Sequence, residues 1–303
     1  MSNHIRVYRG RFHRRRFYHH AFWVRAFWVG VILASGLLPL AVGRMALACG
    51  VETDCAVPIA EPGRVYRIYQ PESTRAQTGA VGAIVHAHGY RGTAAAVVYN
   101  AMLRSVADQL GVALIALKSA GEDWALPNSP SDPNADVARE MAYVAGVIKD
   151  ATTRFSLDPN RFMASGFSAG GMMVWTIACH RSDLFAGFAP IAGTFWRPVP
   201  DRCTSPPTNI IHIHGDLDRV VPISGRPIGD THQGDVMKAL AMYQRYGDFK
   251  PRVTIQANDL RCEQQRNENG YILDFCQFSG GHSMTSAYLV HAWNRLRGIG
   301  ALP

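Results

Sequence analysis

The sequence predicts a single-domain α/β fold, with a mostly parallel central sheet and helices on both faces. First, short apolar runs alternate along the chain with helical patterns, as they do in strand-helix-strand units. Second, 303 residues with 48% apolar and 18% charged side chains suffice for one large core. Third, no internal repeat or low-complexity linker divides the chain.

The excess positive charge lies at the start of the chain. Of 31 Lys and Arg residues, eight arginines lie in residues 1–48, which contain no Asp or Glu, so the remainder has 23 basic and 23 acidic residues. A remainder without a basic excess offers no electrostatic footprint for nucleic acid, and no zinc-finger or aromatic RNA-binding motif is present. We therefore expect no nucleic-acid partner.

Residues 1–48 have the pattern of an export signal. A basic region through Arg25 precedes an uncharged apolar stretch at 26–43, and residues 46–48 form a small-x-small cleavage pattern. We expect cleavage after Ala48, a catalytic domain over 49–303, and a periplasmic or extracellular protein without stable membrane association.

This segment has three other interpretations. Arginines at 14–16 followed by Phe17 resemble a twin-arginine signal, which leaves the signal type open. About 18 apolar residues is the lower limit for an uncleaved anchor, and Cys49 suggests a lipoprotein. Gly36 and Pro39 count against the anchor, and the Ala-Leu order at 46–47 counts against lipidation.

The six cysteines follow the predicted cleavage point, and an even number in an exported chain predicts three disulfides. An Asn-Gly pair at 269–270 predicts a two-residue hairpin that places Cys262 opposite Cys276. Proximity pairs Cys49 with Cys55, which leaves Cys179 with Cys203. Free buried thiols are the alternative.

The predicted elements follow from periodicity and from turn residues. A long irregular stretch at 119–133, rich in Gly, Pro, Ser and Asp, is expected to be functional. Helices are predicted at 94–110, 136–155, 169–179 and 236–246, and strands at 65–69, 83–88, 112–117, 162–166, 187–192, 210–214 and 253–256.

A G-x-S-x-G motif at 166–170 lies after an apolar strand and before a helix. The turn between them is so tight that bulky flanking side chains would clash, and the serine hydroxyl projects at the end of the sheet. This context predicts an α/β-hydrolase fold with Ser168 as nucleophile. The alternative is a glycine-rich turn without catalysis.

A serine nucleophile needs a base and an acid, which follow it in the order Ser, Asp, His in this fold. The strand at 210–214 is followed by Asp216 and Asp218, and the bare chemistry allows either as the acid. We prefer Asp218.

For the base, His282 lies in a glycine-bounded loop between the predicted hairpin and the terminal helix. His291 falls within that helix, and His232 lacks a comparable loop. The alternative for His282 is a surface or capping histidine.

The oxyanion of a tetrahedral intermediate needs two backbone donors, one from the residue after the serine and one from the loop after an earlier strand. Ala169 supplies the first. Tyr90, in the Gly-rich segment 88–92, is preferred over Arg91 for the second. An ordinary glycine turn is the alternative at 88–92.

Two further groups of residues are ambiguous. Trp124 and Trp196 lie in loops near the predicted site, so they are candidates for substrate binding and equally for the core. His86 with His88, and His212 with His214, are spaced like metal ligands on a strand. Packing around the nucleophile explains them better, because no further metal motif is present.

The segments 88–92, 166–171, 214–222 and 280–283 together resemble the secreted esterases of the polyhydroxybutyrate depolymerase group, with the related feruloyl and acetylxylan esterases. The resemblance implies an ester substrate, a triad of Ser168, Asp218 and His282, no metal and no cofactor. It favours Asp218 over Asp216.

The scaffold does not choose the substrate. Because little sequence follows His282, no room is left for an added polymer-binding module, and soluble hydroxyalkanoate oligomers or small esters are expected. Feruloyl or acetylxylan esters are the alternative. A non-catalytic exported binding protein on a hydrolase scaffold is a third hypothesis.

Overall fold

The computed structural model describes residues 49–58, 61–75 and 81–303. The predicted export signal lies outside the described residues. The strands are β1 (Cys55–Ala56), β2 (Val65–Tyr69), β3 (Val81–Ala87), β4 (Ala113–Leu117), β5 (Leu157–Phe167), β6 (Gly187–Ile191), β7 (Ile210–Gly215), β8 (Pro227–Ile228), β9 (Thr231–His232), β10 (Lys250–Ala257), β11 (Leu260–Arg266) and β12 (Ile272–Phe278).

Seven α-helices accompany these strands within the described part of the chain. None of them combines the length and apolarity needed to cross a membrane. They are α1 (Glu72–Arg75), α2 (Ala94–Tyr99), α3 (Ala101–Leu110), α4 (Val137–Phe155), α5 (Ala169–His180), α6 (Val236–Tyr246) and α7 (Ser286–Gly298).

Ten of the described strands form one sheet in the order β1-β2-β4-β3-β5-β6-β7-β12-β11-β10. The six strands from β4 to β12 pair in parallel, and two antiparallel strands flank them at each edge. Because parallel strands end at the same edge, the loops after β5, β7 and β12 lie side by side. The predicted mostly parallel sheet is confirmed.

Helices cover both faces of the sheet, as predicted. Alternate residues of β3 point to opposite faces, so Val85 packs in one hydrophobic cluster and Ile84 in the other. The first cluster contains the apolar faces of α4, α5 and α6, and the second contains those of α2, α3 and α7. All seven residues of β3 are buried, as expected for a strand covered on both sides.

The predicted helix at 94–110 is two helices. Asn100 ends α2 and begins α3, because its side chain accepts a hydrogen bond from Leu103 N–H at 3.0 Å. An asparagine at this position competes with the helical backbone, and helical periodicity does not reveal such a break.

All three predicted disulfides are present: Cys49–Cys55, Cys179–Cys203 and Cys262–Cys276. Cys262 and Cys276 lie directly opposite each other on β11 and β12. The hairpin that joins these strands is wider than the two-residue turn predicted. Asn267 N–H donates to Tyr271 O at 3.1 Å, and Gly270 adopts φ 85°, so three residues form the turn and the glycine takes the left-handed position.

Candidate active site

Ser168 lies at the turn between β5 and α5, with φ 60° and ψ −123°. A positive φ is unfavourable for a residue with a Cβ atom and is maintained only where the surroundings impose it. Here Ser168 N–H donates to Ile191 O of β6 at 3.0 Å, which ties the turn to the neighbouring strand. The strained turn presents the side chain at the carboxyl edge of the sheet.

Glycines flank the serine because no side chain would fit. A Cβ atom on Gly170 would lie 2.0 Å from Ala87 O, and one on Gly166 would lie 2.3 Å from Gly170 O. Both distances are far below van der Waals contact, and in both cases the obstructing atom is backbone. The tight turn between β5 and α5 therefore excludes side chains at these two positions, as the motif predicts.

Asp218 lies in the turn after β7, and its side chain is fully buried. One carboxylate oxygen, Oδ1, accepts hydrogen bonds from Val220 N–H at 2.8 Å and from Val221 N–H at 2.9 Å. The other, Oδ2, lies 2.7 Å from His282 Nδ1. Burial acts to raise the pKa of Asp218, but the nearby His214 and hydrogen bonds from His282 and Val221 bring it well below its ordinary value. Asp218 is therefore an anion.

Asp216 has a different position. Its Oδ1 accepts a hydrogen bond from Gly280 N–H at 2.9 Å, and its neighbour Leu217 donates to Gly280 O at 2.9 Å. These contacts join the turn after β7 to the loop that carries His282. Of the two aspartates that the chemistry left open, Asp218 contacts His282 and Asp216 holds its loop.

His282 lies in the loop between β12 and α7, with 13% of its side chain exposed. Because a carboxylate only accepts hydrogen bonds, the contact with Asp218 assigns a proton to Nδ1, and in a neutral imidazole this leaves a lone pair on Nε2. The imidazole packs against the ring of Phe167, the residue before Ser168, at 4.5 Å between centroids. Among the described residues the Ser168 hydroxyl has no hydrogen-bond partner. The structure therefore contains the hydrogen bond between Asp218 and His282 but none between His282 and Ser168.

The other two histidines considered as the base lie elsewhere. His291 is on α7, where its Nε2 is 3.6 Å from Cys262 Sγ and 3.7 Å from Cys276 Sγ. His232 is on β9, and its Nδ1 lies 2.6 Å from Gln233 O. Neither is recorded in contact with Asp218.

Near Ser168, the backbone N–H groups of Tyr90 and Ala169 have no acceptor among the described residues. Ala169 is the first residue of α5, where the helix provides no acceptor. Arg91 N–H, the competing donor, is used by Glu122 O at 2.8 Å. A Cβ atom on Gly89 would lie 3.7 Å from Ser168 Cβ, so the loop at 88–92 passes close to the serine.

Trp124, the other aromatic candidate for substrate binding, does not line the cavity beside Ser168. The side chain is fully buried. Its Nε1–H donates to His88 O at 2.8 Å, and its ring lies 4.7 Å from the His88 ring. His88 in turn donates from Nδ1 to Gly89 O at 2.8 Å and accepts from Ser119 N–H at 3.2 Å. Trp124 therefore supports the loop that carries Tyr90 from behind.

The neutral form of His88 fits this arrangement. Burial lowers the pKa of His88 to about 4, so the ring can both donate and accept at working pH. Sequence position gave no indication of this bracing role, because it depends on the contact between the stretch at 119–133 and the end of β3. The expectation that this stretch is functional agrees with its position.

A cavity of about 700 Å³ opens beside Ser168. Trp196 lines it together with Met172 and Ile228, which the sequence did not single out. Glu122, Asp123 and Asp132 line another part of the wall and come from the stretch at 119–133. The cavity is large enough for a small ester and combines apolar with acidic lining.

The paired histidines make contacts within the protein. His86 Nδ1 lies 2.9 Å from Ser165 Oγ, and His212 Nε2 lies 3.0 Å from His214 Nδ1. Within the described residues, one group of three potential ligands lies close together, Cys262, Cys276 and His291. Its two sulfurs are joined in a disulfide and are not thiolate ligands.

Comparison with known proteins agrees with this geometry. A family model described as phospholipase/carboxylesterase matches residues 123–240. Among solved structures, an acetyl xylan esterase from Aspergillus awamori superposes with a TM-score of 0.54 at 13% identity, over 79% of this chain and 94% of that one. A Bacillus cereus carboxylesterase gives a TM-score of 0.53 at 10% identity, over 78% and 95%. The chain has the α/β-hydrolase fold.

Two proteins similar to this chain in sequence are named as esterases. The putative esterase NocK of Nocardia uniformis subsp. tsuyamanensis is 31% identical over 185 residues, which are 61% of this chain and 54% of NocK. Feruloyl esterase B of Piromyces equi is 25% identical over 173 residues, 53% of this chain and 31% of that protein. The chain thus spans about half or less of these relatives. The predicted resemblance of this chain to the esterase group is confirmed.

Proposed function

We propose that this chain is a serine carboxylic-ester hydrolase. The observation that carries the proposal is the strained turn that presents Ser168 at the same sheet edge as the buried Asp218–His282 pair. Serine becomes nucleophilic when a base removes its proton, and a buried carboxylate keeps that base in the correct tautomer. The two hydrogen bonds from the Val220 and Val221 amides hold the carboxylate in place for that role.

The reaction runs through an acyl-enzyme. Ser168 Oγ attacks the ester carbonyl carbon while His282 Nε2 takes the hydroxyl proton. The tetrahedral intermediate then expels the alcohol, which receives that proton from His282. Water attacks the acyl-enzyme by the same route in reverse, releases the acid and restores Ser168.

The oxyanion is held by the N–H groups of Tyr90 and Ala169. The absence of an acceptor for either group among the described residues supports this role, since a preorganised donor has to be free before the substrate arrives. Arg91 N–H is already bonded to Glu122 O. Trp124 and His88 stabilise the loop and act without touching the substrate.

For the acyl group, we propose small esters or soluble hydroxyalkanoate oligomers, as the sequence resemblance implies. Feruloyl or acetylxylan esters are a second candidate, and two observations favour the feruloyl esters. The apolar wall of the cavity, at Met172, Trp196 and Ile228, suits an aromatic ring. Proteins named as feruloyl esterases are among the sequence relatives.

The test is product release from three substrates, p-nitrophenyl acetate, methyl ferulate and a soluble 3-hydroxybutyrate oligomer, by a protein that begins at Cys49. Turnover that Ser168→Ala abolishes supports the proposal, and the preferred substrate names the acyl class. Intact substrates, or an active Ser168→Ala variant, would overturn it. Labelling of Ser168 by a fluorophosphonate distinguishes the esterase from a binding protein on the same scaffold.

We also propose that residues 1–48 direct export and are removed after Ala48. The pairing of all six cysteines in disulfides supports an oxidising destination. Expression of the full chain in a bacterium, followed by fractionation and amino-terminal sequencing, tests this. Exported protein that begins at Cys49 supports the proposal, whereas uncleaved or cytoplasmic protein contradicts it.

A further inference from the structure

A series of hydrogen bonds runs through the core from α5 to the turn after β7 that carries Asp218, here called the acid's turn. Trp175 Nε1–H donates to His212 Nδ1 at 3.1 Å, and His212 Nε2 lies 3.0 Å from His214 Nδ1. His214 Nε2 then lies 2.8 Å from Val221 O and 3.5 Å from Asp218 Oδ2. The three ring side chains are fully buried, so water does not substitute for any of these partners.

The groups at the two ends of this hydrogen-bond series determine which ring nitrogens carry protons. An indole N–H only donates, and the Val221 carbonyl and the Asp218 carboxylate only accept. Each histidine must therefore accept at Nδ1 and donate at Nε2, which requires both rings to be neutral. Burial and the neighbouring His214 lower the pKa of His212 well below its ordinary value, which agrees with this assignment.

We propose that His214 is a positioning residue for Asp218, and that Trp175 and His212 hold it in the tautomer which that role requires. The inference rests on the proposed function, in which Asp218 orients His282. His214 Nε2–H acts on the acid's turn at two points, the Val221 carbonyl and the Asp218 carboxylate.

The same turn connects these contacts. The residue whose carbonyl accepts from His214, Val221, donates its own N–H to Asp218 Oδ1 at 2.9 Å. Oδ2 is shared by His214, at 3.5 Å, and His282, at 2.7 Å. Loss of the His214 donor therefore loosens the turn and leaves more of the carboxylate charge to His282.

The hydrogen-bond series also connects two parts of the site that are distant in sequence. Trp175 lies on α5, the helix that begins directly after Ser168, whereas Asp218 follows β7. The position of the nucleophile's helix and the position of the acid are thereby coupled through side chains. A hydrophobic core alone would place the two elements but would not orient the carboxylate.

In the described part of the protein, a small number of other titratable or charged groups lie around this hydrogen-bond series. From α6, the Tyr243 ring packs against Trp175 at 5.8 Å between centroids. On the acid's own turn, Asp216 points to Gly280, and Arg226 donates to Val220 O at 2.8 Å. The loop after β12 contributes His282 itself.

The test compares His214→Leu with His86→Leu, since His86 is also buried and neutral but bonds to Ser165 rather than to the acid's turn. The measurement is kcat/KM for p-nitrophenyl acetate against pH. We expect His214→Leu to lower kcat/KM about tenfold or more and to move its acid limb to higher pH, because hydrogen bonds to charged groups have effects of this size. His86→Leu should leave the limb in place, and His214→Gln, which keeps a donor near Nε2, should restore part of the shift.

A second measurement does not depend on turnover. The downfield proton resonance of His282 Nδ1–H, observed in the free protein, reports the contact with Asp218 directly. We expect this resonance to change position in His214→Leu and to stay in place in His86→Leu. If the wild type hydrolyses no ester, the proposed function fails, and this resonance still tests the positioning role.

An acid limb that stays at the wild-type pH or moves lower in folded His214→Leu would overturn the proposal, as would an unchanged resonance. If His214→Leu does not fold, Trp175→Phe replaces it, because phenylalanine keeps an aromatic ring in the core while it removes the donor together with part of the indole volume. The expected result is then a smaller shift in the same direction, and no shift would overturn the proposal.

Discussion

Arg64 donates a hydrogen bond to Glu140 at 2.8 Å, and the two side chains are only 5% and 1% exposed. The guanidinium also lies over the Tyr143 ring, 3.8 Å from its centroid. This pair joins the start of β2 to α4, and Glu140 Oε1 further accepts from Ala125 N–H in the irregular stretch at 3.4 Å. A buried charge that loses its partner is strongly destabilising.

Glu140→Gln is therefore expected to lower the free energy of unfolding by about 3 kcal/mol, because it leaves Arg64 buried without its main counter-charge. Urea denaturation followed by circular dichroism measures this value. Glu263→Gln is the matched control, since its pair with Arg261 is about half exposed and should change stability by roughly 0.5 kcal/mol or less. Equal effects of the two substitutions would contradict the interpretation.

Asp218→Asn is expected to lower kcat/KM by about 10⁴-fold, because an amide near His282 favours the wrong imidazole tautomer. Asp216→Asn is the matched control. Its amide oxygen can still accept from Gly280 N–H, so activity should fall by roughly threefold or less. Steady-state kinetics at one pH distinguishes the two aspartates, and a larger loss from Asp216→Asn would reverse our assignment.

The stability of the protein in acid should depend on Asp218. Its folded-state pKa lies below its ordinary value, so its stabilising effect is present above the unfolded pKa of about 3.9 and is lost as the pH falls toward the folded pKa. The free energy of unfolding should therefore fall less steeply between about pH 5 and pH 3 in Asp218→Asn than in the wild type. Parallel curves for the two proteins would argue against a depressed pKa.

The two tryptophans should affect different kinetic constants. Trp124→Phe removes the hydrogen bond to His88 O behind the loop that carries Tyr90, and we expect kcat to fall about tenfold with little change in KM. Trp196→Ala removes a wall of the cavity, and KM for an aromatic ester should rise about tenfold. A rise in KM alone for Trp124→Phe would mean that Trp124 contacts the substrate after all.

The disulfides should contribute to stability in the order of the loops they close. Cys179 and Cys203 are separated by 24 residues, and Cys49 and Cys55 by six. Replacing both partners by serine should cost about 3 kcal/mol for the first pair and about 2 kcal/mol for the second, from the entropy of the unfolded chain. Thermal unfolding of the two double variants checks the order, and the reverse order would show that native contacts outweigh loop closure.

Much of the fold could be predicted from local patterns. Apolar runs and turn residues located β2 and α6 at their observed bounds, and the G-x-S-x-G context placed Ser168 between β5 and α5. The break at Asn100 and the width of the hairpin at 267–271 were missed. Both depend on single hydrogen bonds of polar side chains or backbone groups, which hydrophobic periodicity does not record.

The sequence by itself determined the class of fold and a short set of catalytic candidates, because these follow from residue order and from steric limits within a few positions, and it suggested the cysteine pairs that the structure contains. Only the tertiary structure decided which aspartate meets His282, that Trp124 is a brace rather than a cavity wall, and that His212 and His214 continue a hydrogen-bond chain from Trp175. These outcomes depend on distances between side chains that lie up to 64 residues apart along the chain. Such distances are set by the packing of the whole sheet and its helices, and no local pattern contains them.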